Sequence, residues 1–247
     1  VKTACIIPVV QIDLAIALLK NILTNTKELY QLILIDNSEN KLNAAIKSDE
    51  WIQDFVRKNA VPVRYDIIVN MPPLPLNETW TQGFGLISKE ADLITVLNDD
   101  LIINTKFFEC LENIAKTVTK ECGVFCPYTT RQKENVFTAI NDTIIEVMYR
   151  REGWAYTMRR EFFAQLKPIP KELKTFCGDD WIFLEAMRLG YRWIKMMHNP
   201  IYHYVGATVG HTESNKSLDV DKRMFYKLTG ISLKELGNPR LNREKFK

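Results

Sequence analysis

Four strand-like segments in the first hundred residues, Cys5–Val10, Leu32–Ile35, Val63–Val69 and Leu93–Leu97, are separated by stretches with helical spacing. That alternation constrains the fold more than any other feature. Ile12, Ala15, Leu18, Leu19, Ile22 and Leu23 recur on one helical face, residues 43–59 read as a second helix, and Thr79–Lys89 reads as a third. Nearly continuous apolar strands joined by helices imply a mostly parallel sheet covered on both faces, an α/β fold with a Rossmann-like N-terminal half. Ligands of such sheets bind beyond the carboxyl ends of the strands. Asp36, which closes the second strand, and Asn98-Asp99-Asp100, which follows the fourth, both stand at such ends.

The second half is less regular. A helix is expected over Phe107–Thr119, a short strand over Gly123–Pro127, and a hairpin or edge strands over Val136–Met148. Gly153–Met158 leads into a helix over Arg160–Leu166, Asp179–Leu189 forms a helix closed by Gly190, and Tyr191–Tyr204 carries a strand. From Gly206 the composition turns polar. A mobile loop, a short helix over about residues 221–229 and a basic tail are expected there.

A chain of 247 residues suffices for one such domain. The net charge of +3 is too small to announce a nucleic-acid or membrane partner. No apolar run reaches the roughly 20 residues that cross a bilayer, and Val1–Pro8 runs straight into a strand, so a soluble, cytoplasmic protein is expected. The five cysteines are odd in number and scattered. Cys122 and Cys126 lack a second Cys/His pair that would complete a zinc site, so all five read as buried free thiols.

If the backbone stays extended past Leu97, Asn98 and Asp100 share a face and Asp99 points away. A carboxylate there offers a hard oxygen to a cation bound to phosphates, and an amide beside it can meet a ribose hydroxyl. The plain alternative is a run of cap and turn residues ending a strand. Downstream, Gly178-Asp179-Asp180 opens a helix, where an ionised carboxylate is stabilised and can serve as a base toward a hydroxyl, although Asp is also a common helix start.

The run Leu97-Asn98-Asp99-Asp100-Leu101-Ile102 resembles the Asp-any-Asp motif of family-2-like glycosyltransferases with the GT-A fold. A second, longer match lies downstream. Gly153–Phe163 looks like that family's acceptor-side strand and helix, and Phe176–Trp181 with Arg188–Arg192 is similar to its Glu-Asp motif, helix and Gly-Tyr ending. By position the resemblance implies Asp100 as metal ligand and Asn98 at the donor ribose, or Asp99 in the alternative register. It implies Asp180 as catalytic base, with Asp179 where Glu is usual. His203 would be the second metal ligand, with His211 in the polar loop as its rival. Pro8, Val10 and Asp36 lie where the family grips the nucleotide, although an Asx turn accounts equally well for Asp36. Trp154 and Trp181 offer a platform for the acceptor sugar, or are simply buried. Two departures stand out. The helix before the fourth strand lacks the family's basic residue and Asn, and Asn98 replaces the usual first Asp.

The implied protein is a single GT-A-type domain over residues 1–205, divided into a nucleotide-sugar-binding half (1–100) and an acceptor-binding half (101–205), followed by an extension over 206–247. Its expected activity is inverting, metal-dependent sugar transfer from a UDP-, dTDP- or GDP-linked donor, with Mn²⁺ or Mg²⁺ as cofactor. A nucleotidyltransferase is a rival, but it calls for a Gly-rich basic loop where Val9–Asp13 stands. A non-catalytic nucleotide-sugar or glycan-binding module is another. The acceptor is open: a glycan, a small molecule or, less favoured, a modified DNA base. The last of these rests on the nine basic and four acidic residues of Lys216–Lys247.

Overall fold

The computed structural model describes residues 1–25, 29–59, 64–138, 145–147, 153–204 and 212–238. The strands are β1 (Thr3–Val9), β2 (Leu29–Asp36), β3 (Arg64–Val69), β4 (Leu93–Leu97), β5 (Leu101–Ile103), β6 (Cys122–Thr130), β7 (Ile145–Val147), β8 (Ala155–Arg159) and β9 (Arg192–His203). The helices are α1 (Ile12–Asn25), α2 (Lys41–Ser48), α3 (Glu50–Asn59), α4 (Leu76–Leu86), α5 (Phe107–Thr117), α6 (Arg160–Phe163), α7 (Gly178–Arg188), α8 (Thr212–Thr229) and α9 (Leu233–Leu236).

The strands form one sheet in the order β3-β2-β1-β4-β8-β6-β9-β5, with β7 also paired to β9. β1 runs parallel to β2 and β4, and β2 runs parallel to β3, as the alternation of the first hundred residues requires. β8 enters antiparallel between β4 and β6, β5 and β7 lie antiparallel to β9, and β6 and β9 are parallel. The reversal at β8 brings the residues before Ala155 to the carboxyl end of β4, since Leu97 pairs with Ala155. Asp179 lies against Gly153, two residues before Ala155, so both acidic clusters come to the same end of the sheet.

Successive residues of a strand face opposite ways, and here both faces are dry. Cys5 and Ile7 of β1 and Leu32 and Leu34 of β2 point into one core with Leu18 and Leu19 of α1 and Leu111 of α5. Ile6, Ile33 and Ile35 point into a second core with Trp80 of α4, Ile182 and Phe183 of α7 and Phe225 of α8. This two-sided burial is why the strands read as unbroken apolar runs.

Two expectations need correction, and a third is borne out in part. The helix read over 43–59 is two helices, because Asp49 leaves the helical conformation (φ −81°, ψ 102°) and its Oδ1 accepts from the Ile52 amide, starting α3 afresh. Within the span 136–148, β7 is an edge strand, one of the two expected alternatives, and residues 136–138 end a 3-10 turn over Lys133–Thr138. The stretch expected to stay a loop until about residue 221 is helical from Thr212. Its sequence reads as polar because the helix buries only a narrow stripe, with Asp221 and Phe225 one turn apart and inward while Val220 and Tyr226 are exposed. Residues 205–211, including His211, and 239–247 lie outside the described residues.

Candidate functional site

The three residues after β4 diverge and take separate tasks. The Asn98 amide N–H donates to the Trp154 carbonyl at 2.8 Å, continuing the pairing with the chain entering β8. The Asn98 side-chain oxygen is buried and accepts no hydrogen bond among the described residues. Asp99 turns toward the first loop, where its Oδ2 accepts from the Val10 and Gln11 amides, each at 2.7 Å, and so fixes the passage from β1 to α1. Burial pushes its carboxyl up to about 6, against the opposing pull of those two N–H groups. Sequence reasoning offered Asp99 as an alternative ribose contact; in the structure this carboxylate holds the loop.

Asp100 turns the other way. Leu101 pairs with His203 across β5 and β9, and the Tyr204 amide donates to the Asp100 carbonyl at 3.0 Å, so Asp100 lies beside the end of β9. The His203 Nε2 is 3.2 Å from Asp100 Oδ2. Asp100 is 2% exposed, and its Oδ1 accepts no hydrogen bond among the described residues. A buried carboxylate oxygen without a donor is costly and suits a cation. The imidazole is held in plane by Trp154, whose ring stacks on it at 4.9 Å and 17°. The indole N–H of Trp154 in turn donates to Thr129 Oγ1 at 3.1 Å. Among the described residues no group of three or more His, Cys, Asp or Glu is arranged for a metal. An oxygen and an imidazole nitrogen this close still fit an ion that takes its remaining ligands from water and substrate phosphates.

The second acidic cluster starts α7. Cys177 adopts the left-handed conformation (φ 63°), which turns the chain sharply into the helix, and Gly178 packs against Asn77 and Trp80 so closely that a Cβ would collide with both. Asp179 lies against Gly153: a Cβ at 153 would stand 2.6 Å from Asp179 Oδ2. Glycine at 153 is thus required by the approach of the carboxylate. The neighbouring residue, Trp154, carries the stack on His203, so a short chain of contacts joins Asp179 through Gly153–Trp154 to His203 and Asp100. Asp180 is 5% exposed in the first turn of the same helix. Behind the pair, burial, and secondarily the charge of Asp179, pushes the Tyr156 phenol well above its ordinary value.

Other expected contacts fare differently. Asp36 is fully buried. Its Oδ1 accepts from the Ser38 amide (2.7 Å) and the Ser38 hydroxyl, and its Oδ2 accepts from the Leu42 amide (3.2 Å). The Asx turn is the alternative that this geometry favours. Pro8 is buried within β1, paired with Ile35, whereas Val10 is half exposed in the following loop. Trp181 is 9% exposed. It packs in the second core with its indole N–H on the Lys167 carbonyl at 3.2 Å, because its place one residue beyond the acidic pair turns it inward. All five cysteines are buried thiols outside any disulfide, as expected. Thr129, Gly153 and Tyr156 escaped notice as individual site residues. Only the Gly-Trp pair directly before a strand carried a signal that could have been read.

No protein-family profile matches the sequence, and no curated protein matches it. Solved structures do match its fold. The mannosyltransferase PcManGT of Pyrobaculum calidifontis, in complex with GDP-Man and Mn²⁺, aligns with a TM-score of 0.67 at 12% identity over 98% of this chain and 68% of its own. GalNAc-T7 with UDP, GalNAc and Mn²⁺ aligns at 0.65 and 13% over 95% of this chain, which spans about half (49%) of that protein. Residues 1–349 of S. aureus TarS align at 0.57 and 12%, over 95% of this chain and 77% of that one. No helix among the described residues is long and apolar enough to cross a membrane. The likeness to these proteins is one of architecture: the chain has the GT-A fold.

Proposed function

We propose that the chain is a metal-dependent, inverting glycosyltransferase acting on a UDP-, dTDP- or GDP-linked sugar. The observation that carries this reading is the convergence just described, from Asp100 and His203 through Trp154 and Gly153 to Asp179. The fold supports it, as do the GDP-Man and Mn²⁺ named for PcManGT and the UDP, GalNAc and Mn²⁺ named for GalNAc-T7.

Asp100 and His203 are the residues that would hold Mn²⁺ or Mg²⁺, and such an ion supplies positive charge against the nucleotide diphosphate. The Asn98 side-chain oxygen accepts from a donor ribose hydroxyl, and the loop Val10–Gln11, held by Asp99, lines the nucleotide. An acceptor hydroxyl is a poor nucleophile until a positioned base takes its proton. Asp180 takes that proton as the acceptor oxygen bonds to C1 of the sugar. The bond from C1 to the diphosphate oxygen breaks, and its electron pair leaves with the diphosphate. Attack opposite the leaving group inverts C1. A second assignment of the base has its own support: Asp179, not Asp180, is the carboxylate seen against Gly153. The acceptor favoured is a glycan, with a modified DNA base the less favoured choice.

A panel of UDP-, dTDP- and GDP-linked hexoses, each with Mn²⁺, tests the proposal through thermal shift and release of nucleoside diphosphate. At least one donor is expected to raise Tm only with metal present and to be hydrolysed slowly. Binding without hydrolysis or transfer would point to a non-catalytic module. Pyrophosphate released from a nucleoside triphosphate and a sugar phosphate would point to a nucleotidyltransferase.

A further inference from the structure

The segment 173–176, directly before the left-handed turn at Cys177, is gripped from two sides by buried polar side chains. From α4, the Asn77 side-chain amide donates to the carbonyls of Leu173 (3.1 Å) and Phe176 (2.9 Å), while the Asn77 backbone amide donates to the Lys174 carbonyl (3.0 Å). From α8, the Asp221 carboxylate accepts three consecutive backbone amides: Lys174 (3.2 Å), Thr175 (2.9 Å) and Phe176 (2.8 Å). Asn77 and Asp221 are each 2% exposed. Six backbone groups in four residues are thus satisfied by two residues distant in the chain. A buried carboxylate collecting three N–H groups is a charge-assisted contact that a neutral amide reproduces only in part, since an amide must present its single oxygen to donors that two oxygens now share.

We propose that Asp221 is a positioning residue for the Asp179–Asp180 pair, and that α8 is thereby a working part of the site. This rests on the reading of that pair as catalytic. The route is short: Asp221 fixes the path of residues 174–176, that path sets the turn at Cys177, and the turn aims the first residues of α7, where Asp179 lies against Gly153. Displacements of about an ångström in a catalytic group are enough to cost a hundredfold in rate. Donor and ion, held at the ends of β1, β4 and β9, lie outside this route.

The test uses the full chain, Mn²⁺ and the nucleotide sugar that the wild-type protein hydrolyses fastest. Asp221→Asn is expected to lower kcat for hydrolysis at least tenfold and to leave the donor KM and Mn²⁺ affinity within twofold. Hydrogen exchange of the peptide covering 173–181 is expected to quicken at least tenfold. Phe225→Leu, which loosens the same helix without removing the acceptor, is expected to keep kcat within twofold and exchange at 173–181 near the wild-type rate. The proposal is overturned if Asp221→Asn behaves like Phe225→Leu in either measurement, or if KM and kcat shift together. Asp180→Asn is run alongside. Wild-type hydrolysis by that variant would remove the catalytic reading itself, while the exchange data would still decide whether Asp221 holds the segment.

Discussion

Asp180→Asn is expected to cut sugar transfer by about a hundred- to ten-thousandfold, the range a general base contributes, while donor KM and metal affinity stay near wild type. The substitution keeps the shape of a side chain that is 5% exposed and removes its ability to take a proton, so Tm should move little. Release of nucleoside diphosphate in the presence of acceptor, measured as separate kcat and KM, checks this. The companion Asp179→Asn decides between the two carboxylates. Its side chain packs on Gly153, so a smaller loss is expected if it mainly orients the site. A reversed order, with Asp179→Asn the more damaging, would assign the base to Asp179.

Asp100→Ala is expected to weaken Mn²⁺ binding by at least tenfold, and metal-dependent donor binding with it. Groups that merely orient a ligand cost ten- to a hundredfold when removed, and loss of a ligand should cost no less. Titration of the free Mn²⁺ signal by electron paramagnetic resonance, with and without nucleoside diphosphate, reads this without any turnover. The fold should survive: the truncation deletes a buried carboxylate whose Oδ1 has no hydrogen bond among the described residues, and it leaves the backbone pairing of Leu101 with His203 in place. Unchanged Mn²⁺ affinity would separate Asp100 from the metal altogether.

The parts of this architecture that were legible in the sequence are those with a strict period. β1, β2 and β4 are unbroken apolar runs because cores lie on both faces, and α1 shows its inward stripe plainly. The acidic clusters were legible because strand ends and helix starts are where carboxylates do chemistry. Contacts across the sheet were not. Nothing in the string of residues says that Trp154 stacks on His203 or that Asp99 reaches back to Val10 and Gln11. Those follow from the placing of β4 beside β1 and from the reversal of β8 beside β4. The C-terminal helix was misjudged for a related reason. Its single buried stripe is anchored by Asp221, a charged residue that reads as surface until the backbone amides it serves are seen. For Trp181, one residue past the acidic pair, the sequence left platform and core both open, and its position in α7 turns it into the core.

In the proposed mechanism one ion and one reacting hydroxyl meet between Asp100 and the Asp179–Asp180 pair, which Gly153–Trp154 connects. Crystals grown with Mn²⁺ and the preferred nucleoside diphosphate would test it through anomalous scattering. One strong peak is expected at bonding distance from both the Asp100 carboxylate and the His203 imidazole, with Asp180 facing the same cavity. A peak bound elsewhere, or Asp100 and Asp180 opening onto separate cavities, would contradict it.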